Sequence, residues 1–465
     1  MLSRNIFANL SPLDHRYSLN QAEYAQYSKY LSEEAKIRYQ ARVEVALVKV
    51  LVRQGICPQA IADQIEAAVR GLRPEEVYAE EGKTRHNIRA LVNCIQQRVS
   101  SEARPYVHFT ATSFDIVDTA NSLCYKEVSR ELIIPTLLKL QTILMEIAIR
   151  EKETVQIGRT HGQHAVPITF GFAVAEYVSR LGNRIEAIKE SSQRLKGKIA
   201  GAVGAYNASH LFFVEPEEFE AQVLAELGLE AASHSTQIVE PEFLTDFFHS
   251  LISCFGVLAS LSDDMRHLQR SEIAEIGEYF AEDQVGSSTM PHKRNPVNYE
   301  NIKSLWKQFM PRMLTLYQDQ LSEHQRDLTN SASSRFNPEI IVGLLSAAKR
   351  LSGVLQQLAV DHQSIRRNLE LNRELIIAEP LYILLASYGH PDAHEVVRKL
   401  TLEARQRKTT LRELVQVKAE LKPYWDIFTP KQREVLLHPE KYTGIAAEKT
   451  ERVVNYWREQ LALNT

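Results

Sequence analysis

Apolar residues fall along this chain at the three- and four-residue spacing of a helix face, and they do so over long segments. From Leu344 to Leu358 they stand at 344, 348, 351, 355 and 358. That alternation of four and three is the seam of a helix packed on near-parallel neighbours. Asp115–Glu151, Ile168–Lys196, Pro241–Tyr279 and Pro296–Gln325 read as further long helices. Pro135 is predicted to kink the first of these and Pro311 to bend the last, because proline lacks the N–H donor and crowds the preceding turn. Pro241 suits a first helical turn. A helix of about 30 residues runs about 45 Å and needs neighbours along its whole apolar stripe. The pattern therefore predicts an all-α protein built on a long central bundle, shared between subunits. Three regions are expected: a helical N-terminal domain over 1–111, the bundle over 112–370, and a C-terminal helical domain over 371–465. The last is set apart by shorter helices broken at Gly389-His390-Pro391, Pro423, Pro430 and Pro439.

Polar, turn-rich stretches separate the long helices: Pro105–Ser113, Gly158–Pro167, Gly201–Ser209, Ser233–Pro241, Gln284–Pro296 and Asp327–Pro338. Chemistry is expected there, because loops held by a rigid scaffold carry function disproportionately.

Composition narrows the class. Only 18 Gly and 17 Pro in 465 residues favour helices over many tight-turned strands, and 44% hydrophobic residues argue against disorder. Lys plus Arg number 55 against 58 Asp plus Glu. This balance excludes a strongly basic nucleic-acid binder, so no nucleic-acid partner is expected. No secretory signal is visible at the start, and no stretch approaches 18 uncharged apolar residues, so no membrane span is expected. The most apolar window, Phe247–Leu261, is interrupted by His249 and reads as a core helix. Cys57, Cys94, Cys124 and Cys254 are scattered, without a C-x-x-C pair, which predicts buried thiols and a cytoplasmic protein. No metal or other cofactor is expected: His161 and His164 stand three apart, but no third ligand lies near them in sequence.

The most informative stretch is Gly286-Ser287-Ser288-Thr289-Met290-Pro291-His292-Lys293-Arg294-Asn295-Pro296. It packs hydroxyls, an imidazole, two cations and an amide into one loop, behind a glycine expected to let it move. Cations beside hydroxyls suit an anion site where a serine must lose its proton, since an ordinary serine is a poor base. Taken alone these residues point no further than an anion-binding helical enzyme.

That string closely resembles the signature loop of the fumarase/aspartase superfamily, whose members eliminate fumarate from a succinyl group. Other segments narrow the resemblance. Ser11-Pro12-Leu13-Asp14-His15-Arg16-Tyr17 is similar to an amino-terminal element of bacterial adenylosuccinate lyases. Thr84-Arg85-His86-Asn87, Thr110-Ala111-Thr112-Ser113, Arg159-Thr160-His161-Gly162-Gln163, Gly201–Asn207, Ser235-Thr236-Gln237-Ile238 and Arg326–Ser331 with Arg335 follow in that family's order. The resemblance runs from about residue 9 to about 380. It implies a fumarase/aspartase-type fold and a homotetramer whose active sites draw loops from three subunits. The implied reaction is release of fumarate from adenylosuccinate and from succinylaminoimidazole carboxamide ribotide.

The same resemblance implies roles. Ser287 is the base and His161 the acid, on opposite sides of the substrate. Lys293 and Asn295 stabilise the carboxylate as charge develops on it. Thr112, Ser113 and Gln237 suit the succinyl carboxylates. Arg16, with Arg326 or Arg335, suits the nucleotide phosphate, and Tyr17 the phosphate or ribose. His86 binds or orients substrate, and Arg85, Asn87, Asn301 and Ser331 complete the binding set. Three positions depart from the family pattern. His15 replaces a usual glycine and is expected to alter the turn before Arg16. Asn87 replaces an aspartate that would orient His86, and His164 replaces a common proline. Two competing readings are a sister enzyme such as argininosuccinate lyase or the cycloisomerase branch, and a non-catalytic scaffold of the same descent. Arg16-Tyr17 and Arg326–Arg335 argue against the first, and intact Ser287, His161 and Lys293 against the second.

Overall fold

The computed structural model describes residues 9–280 and 283–463. Helices dominate, as the all-α expectation requires, with two small two-stranded sheets among the described residues. The chain groups into two compact units. One comprises Met1–Leu137, Arg184–Gly256 and Ser304–Lys349, the other Leu138–Asn183, Val257–Lys303 and Arg350–Thr465.

The long helices follow the apolar spacing. Ser113–Val128 and Ile134–Arg150 are joined by a π-helical turn over Ser129–Ile133. Pro135 has no N–H to give the turn before it, and the widened turn absorbs the defect without breaking the run. Phe170–Gln193, Glu242–Leu268 and Asn337–Gln356 occupy three other expected stretches. Pro311 separates Val297–Phe309 from Arg312–Gln318, as its chemistry demands. The Glu242 helix stops well short of Tyr279. The residues beyond it turn and form a short strand, Ile276–Gly277, paired with Ala359–Val360.

One expected loop is a β-hairpin. Val155–Thr160 pairs antiparallel with Gln163–Thr169, and the register shifts between Ile157 and Arg159. Gly158 sits at that bulge, where a Cβ would lie 2.7 Å from the Val166 carbonyl oxygen. In the second unit, Ile377, Leu381, Leu385, Val397, Leu400, Leu414 and Phe428 form a core of their own.

Ser113–Arg150 and Glu242–Leu268 are long and apolar enough, over an 18-residue window, to cross a membrane. However, 56% and 67% of those windows are buried inside the protein, as core helices of a bundle are.

The first unit is organised by the N-terminal turns of the Ser113–Val128 helix. Asp115, fully buried, is ion-paired with Lys198, which is 1% exposed. The carboxylate also accepts the Thr112 N–H at 2.8 Å, the Ala200 N–H at 3.2 Å and the Gly201 N–H at 3.2 Å. Lys198 gives a second bond to the Gly201 carbonyl at 3.1 Å, and its backbone exchanges two bonds with the Thr119 hydroxyl. Two loops and a helix start thus meet on one carboxylate. Replacing Lys198→Met leaves Asp115 buried and short of its cation. Urea denaturation is expected to show a loss of about 3–5 kcal/mol, and a loss under about 1 kcal/mol would contradict this account of the pair.

Candidate active site

In the first unit the structure joins several predicted residues into a contiguous series. His86 caps the Asn87–Gln96 helix with its ring: Nδ1 accepts the Arg89 N–H at 3.2 Å. That fixes the proton on Nε2, which stands 3.3 Å from the Ser113 hydroxyl. Asn87 bonds the Ile88 N–H at 2.8 Å, so the ring is oriented by backbone and not by its neighbour. Thr112 is the N-cap of the Ser113–Val128 helix, in a capping box with Asp115. Phe114 follows Ser113, and the Arg326 guanidinium lies over its ring, 5.6 Å from the centroid. The Gln237 N–H donates to the carbonyl of Gln325 at 3.3 Å. His86, Ser113, Arg326 and Gln237 are therefore neighbours.

Arg85 directly precedes His86, and Arg16, Tyr17, Ser331 and Arg335 lie on other segments of this unit. Arg16, Arg85 and Arg335 are exposed, and no hydrogen bond or ion pair among the described residues ties their guanidinium groups to those four neighbours. Tyr17 is partly buried and Ser331 exposed. His15 takes φ −142°, outside the left-handed region, so the turn before Arg16 does not require glycine. The loop carrying Arg326 is held by Asp327. Its carboxyl is held down to about 2 by the Thr329 hydroxyl and by the N–H groups of Thr329 and Glu323.

In the second unit, His161 and Gly162 form the two-residue turn of the hairpin, with φ of 54° and 72°. Positive φ at both positions is the turn whose twist matches paired strands, and it leaves the His161 ring exposed at the tip. Beneath it Arg159 forks onto Glu275, at 2.5 Å and 3.2 Å. Glu275, fully buried, also accepts from Gln156 at 2.6 Å and Asn368 at 2.8 Å. His164 receives the Asn372 amide at 3.0 Å on Nδ1. Burial, followed by the Arg159 charge, lowers the His164 pKa against the opposing pull of Glu275, so the ring is neutral near pH 7.

The signature loop is closed at its base. Glu278 accepts the N–H of Asn298 and Tyr299, each at 3.1 Å, and the Asn298 side-chain amide at 2.7 Å. This caps the Val297–Phe309 helix that follows the loop. Within the loop, the Asn295 amide donates to the Gly286 carbonyl at 2.9 Å. Packing in this conformation requires glycine at 286: a Cβ there would lie 2.0 Å from the Lys293 carbonyl oxygen. The Ser287 hydroxyl accepts the N–H of Thr289 at 3.3 Å and of Met290 at 3.1 Å. What touches Ser287 is thus a pair of backbone donors. Lys293 is exposed on the same loop, and Asn301 lies partly buried one turn into the following helix. No hydrogen bond joins His161 to Ser287 among the described residues. A cavity of about 1010 Å3 flanks the hairpin, lined by Arg159, Gly162, Phe172, Tyr177, Asp264 and Arg270, and includes neither His161 nor Ser287.

Several supporting residues escaped the sequence reading: Asp115, Lys198, Glu275, Glu278 and the His108–Glu44 pair. The legible trace was Asp115 and Asp118, carboxylates one turn apart in an otherwise apolar helix start.

Residues 16–310 match the Lyase family, and residues 322–443 match the family described as adenylosuccinate lyase C-terminal. The chain is 37% identical over 454 residues to an adenylosuccinate lyase of Pyrococcus abyssi, covering 96% of this chain and 98% of that one. It is 34% identical to an adenylosuccinate lyase of Methanocaldococcus jannaschii, covering 95% of each. In structure it resembles the 3-carboxy-cis,cis-muconate lactonizing enzyme of Pseudomonas putida, with TM-score 0.82 and 25% identity, over 94% of this chain and 98% of that one.

The loop leading to Thr112 carries its own titratable contact. His108, at φ 65°, bonds the buried Glu44 through Nδ1 at 2.7 Å and through its N–H at 2.9 Å. Burial disfavours the imidazolium, but the Glu44 charge and hydrogen bond outweigh it, with Asp115 adding to them, and the His108 pKa lies above its ordinary value. A histidine raised on folding adds stability that is full below the unfolded value of about 6.5 and is lost as pH rises through the folded value. Urea midpoints measured across that range should fall with pH less steeply in Glu44→Gln than in the unaltered protein. Parallel curves would rule out this contribution.

Proposed function

The chain belongs to the adenylosuccinate lyase family, within the fumarase/aspartase superfamily, and from that premise we propose how its residues release fumarate. It is a C–N lyase acting on adenylosuccinate, and AMP is the second product. Two chemical problems must be solved. The hydrogen to be removed sits on carbon beside a carboxylate and is weakly acidic. The departing nitrogen leaves poorly unless it is protonated.

Ser287 is assigned as the base. Supporting this, and carrying the reading, is its hydroxyl oxygen receiving the Thr289 and Met290 N–H groups inside the loop that bears Lys293. Donors aimed at an oxygen stabilise the alkoxide over the alcohol, and a cation on the same loop adds to this. Ser287 takes the proton from carbon. The electron pair left there forms the new C=C bond while the C–N bond breaks, and His161 protonates the leaving nitrogen. Lys293 and Asn295 stabilise the carboxylate that gathers charge in between. Thr112, Ser113, His86 and Gln237 hold the succinyl part. Arg16, Tyr17, Arg85, Asn87, Arg326, Ser331 and Arg335 hold the nucleotide, and Asn301 completes the set. The exposed guanidinium groups suit phosphate, which they bind in a fork. Succinylaminoimidazole carboxamide ribotide, with the same succinylamino group and ribose phosphate, is proposed as a second substrate.

We further propose a homotetramer with active sites shared between subunits. Supporting assembly, Met310, Leu314, Tyr317 and Leu321 recur at helical spacing yet are exposed, Leu314 by 65% and Leu321 by 75%. Such a stripe is a surface for another copy. Of the three-region division at 111/112 and 370/371, the C-terminal region is supported by a core of its own over residues 377–436. The four buried free cysteines support a cytoplasmic location.

Fumarate release from adenylosuccinate, followed by absorbance, tests the assignments. Ser287→Ala is expected to lower kcat by about 100-fold or more with little change in substrate binding. Turnover equal to the unaltered enzyme would refute the base. Mixed after subunit exchange, inactive His161→Ala and Ser287→Ala enzymes should regain part of the activity, and continued inactivity in verified mixed oligomers would refute shared sites.

A further inference from the structure

Asp118 lies one turn beyond Asp115 on the same helix and takes no part in the chemistry described above. Its Oδ2 accepts the Val239 N–H at 3.0 Å. Val239 closes a small turn: it bridges Ser235, and the Thr236 N–H donates to the Ile238 carbonyl at 3.0 Å. Gln237 is at the tip of that turn, and its own N–H is bonded to Gln325, the residue before Arg326. Asp118 also lines a cavity of about 80 Å3, together with Asn121, Asp319, Arg326, Asn330 and Ser334. The Arg326 Nε is buried there with no hydrogen-bond partner among the described residues. Asp319, which lines the same cavity, is already engaged, both its oxygens accepting from the Ser333 hydroxyl at 2.8 Å and 2.9 Å. No ion pair joins Asp118 to Arg326 among the described residues; the attraction between them acts across the cavity, which has room for ordered water.

We propose that Asp118 is a positioning residue for the substrate, holding Gln237 through the turn closed at Val239 and Arg326 through its charge across the cavity. The inference rests on the assignment of Gln237 and Arg326 to substrate binding. One carboxylate then sets the spacing between a residue for the succinyl part and a residue for the phosphate, both of which must meet one rigid ligand. Asp118 touches no reacting atom, so its effect falls on KM and not on kcat.

The charges around it give this device a pH dependence. Burial pushes the Asp118 carboxyl up to about 6, while the Val239 N–H, Lys198 and Arg326 favour the ionised form and Asp115 opposes it. Glu240 and Asp319 line the same cavity. The group is mostly ionised at neutral pH and protonates as pH falls through about 6. Protonation removes the charge facing Arg326, so KM should rise toward acid.

The experiment is a set of pH profiles of kcat and KM for adenylosuccinate with the full-length enzyme and Asp118→Asn. Asparagine keeps an oxygen for the Val239 N–H and loses only the charge. KM is expected to rise roughly five- to tenfold at neutral pH with kcat within about twofold, and the acid rise in KM is expected to flatten. The substrate phosphate titrates in the same range. An acid rise of undiminished size in Asp118→Asn therefore belongs to the ligand alone and overturns the proposal, as does an unchanged KM. Asp118→Ser, whose hydroxyl also accepts a hydrogen bond in less space, gives the same readout should the asparagine variant fail to fold. Unaltered enzyme that releases no fumarate overturns the substrate assignment and this inference with it, whereas normal turnover with unaltered variant kinetics overturns this inference alone.

Discussion

The buried pairing of Asp115 with Lys198 is the constraint on which the first unit depends. Two charges removed from water are costly, and their mutual attraction repays this only when the remaining donors and acceptors are satisfied. Here the carboxylate is saturated by Lys198 and by the N–H groups of Thr112, Ala200 and Gly201. The satisfying groups are backbone groups of loops, so the requirement to pair the charge becomes a requirement on loop position. Gly204 extends the same logic. At φ 78°, a Cβ on it would lie 2.0 Å from the Ser235 carbonyl oxygen, so the Gly201 loop and the Gln237 turn pack backbone against backbone.

The second unit uses carboxylates in the same manner. Glu275 gathers Arg159, Gln156 and Asn368 under the hairpin that carries His161. Three residues on, Glu278 ties the base of the signature loop to the start of the following helix. His161 and Lys293 are exposed and Ser287 is half-buried, while the carboxylates that hold their loops, Glu275 and Glu278, are buried. This division suits catalysis, because a catalytic group must reach a ligand whereas its support must not move. Among the described residues, the Ser287 hydroxyl is held by N–H groups of its own loop.

Much of the fold and the family was legible in residue order. The helical spacing, the break at Pro311 and the signature string with Ser287 and Lys293 are local facts, and the collinear matches extended them to Arg16, His161 and Arg326. The hairpin at 155–169 was not legible, because its alternation is short and is interrupted by Gly158 and Pro167. Asn87 and His15 looked disruptive in sequence, yet the Arg89 N–H orients the His86 ring and the turn at 15 needs no left-handed residue. The close approach of the Lys293 carbonyl to Gly286 was likewise not legible in residue order.

Sequence by itself determined what depends on neighbours along the chain: the helices, their breaks, and the family whose chemistry the loops carry. Only tertiary structure decided which buried carboxylate holds which loop. Asp115 and Lys198 are 83 positions apart, Arg159 and Glu275 116 apart. Burial turns an unremarkable charged residue into an anchor only once a distant partner has arrived, and no local pattern records that distance.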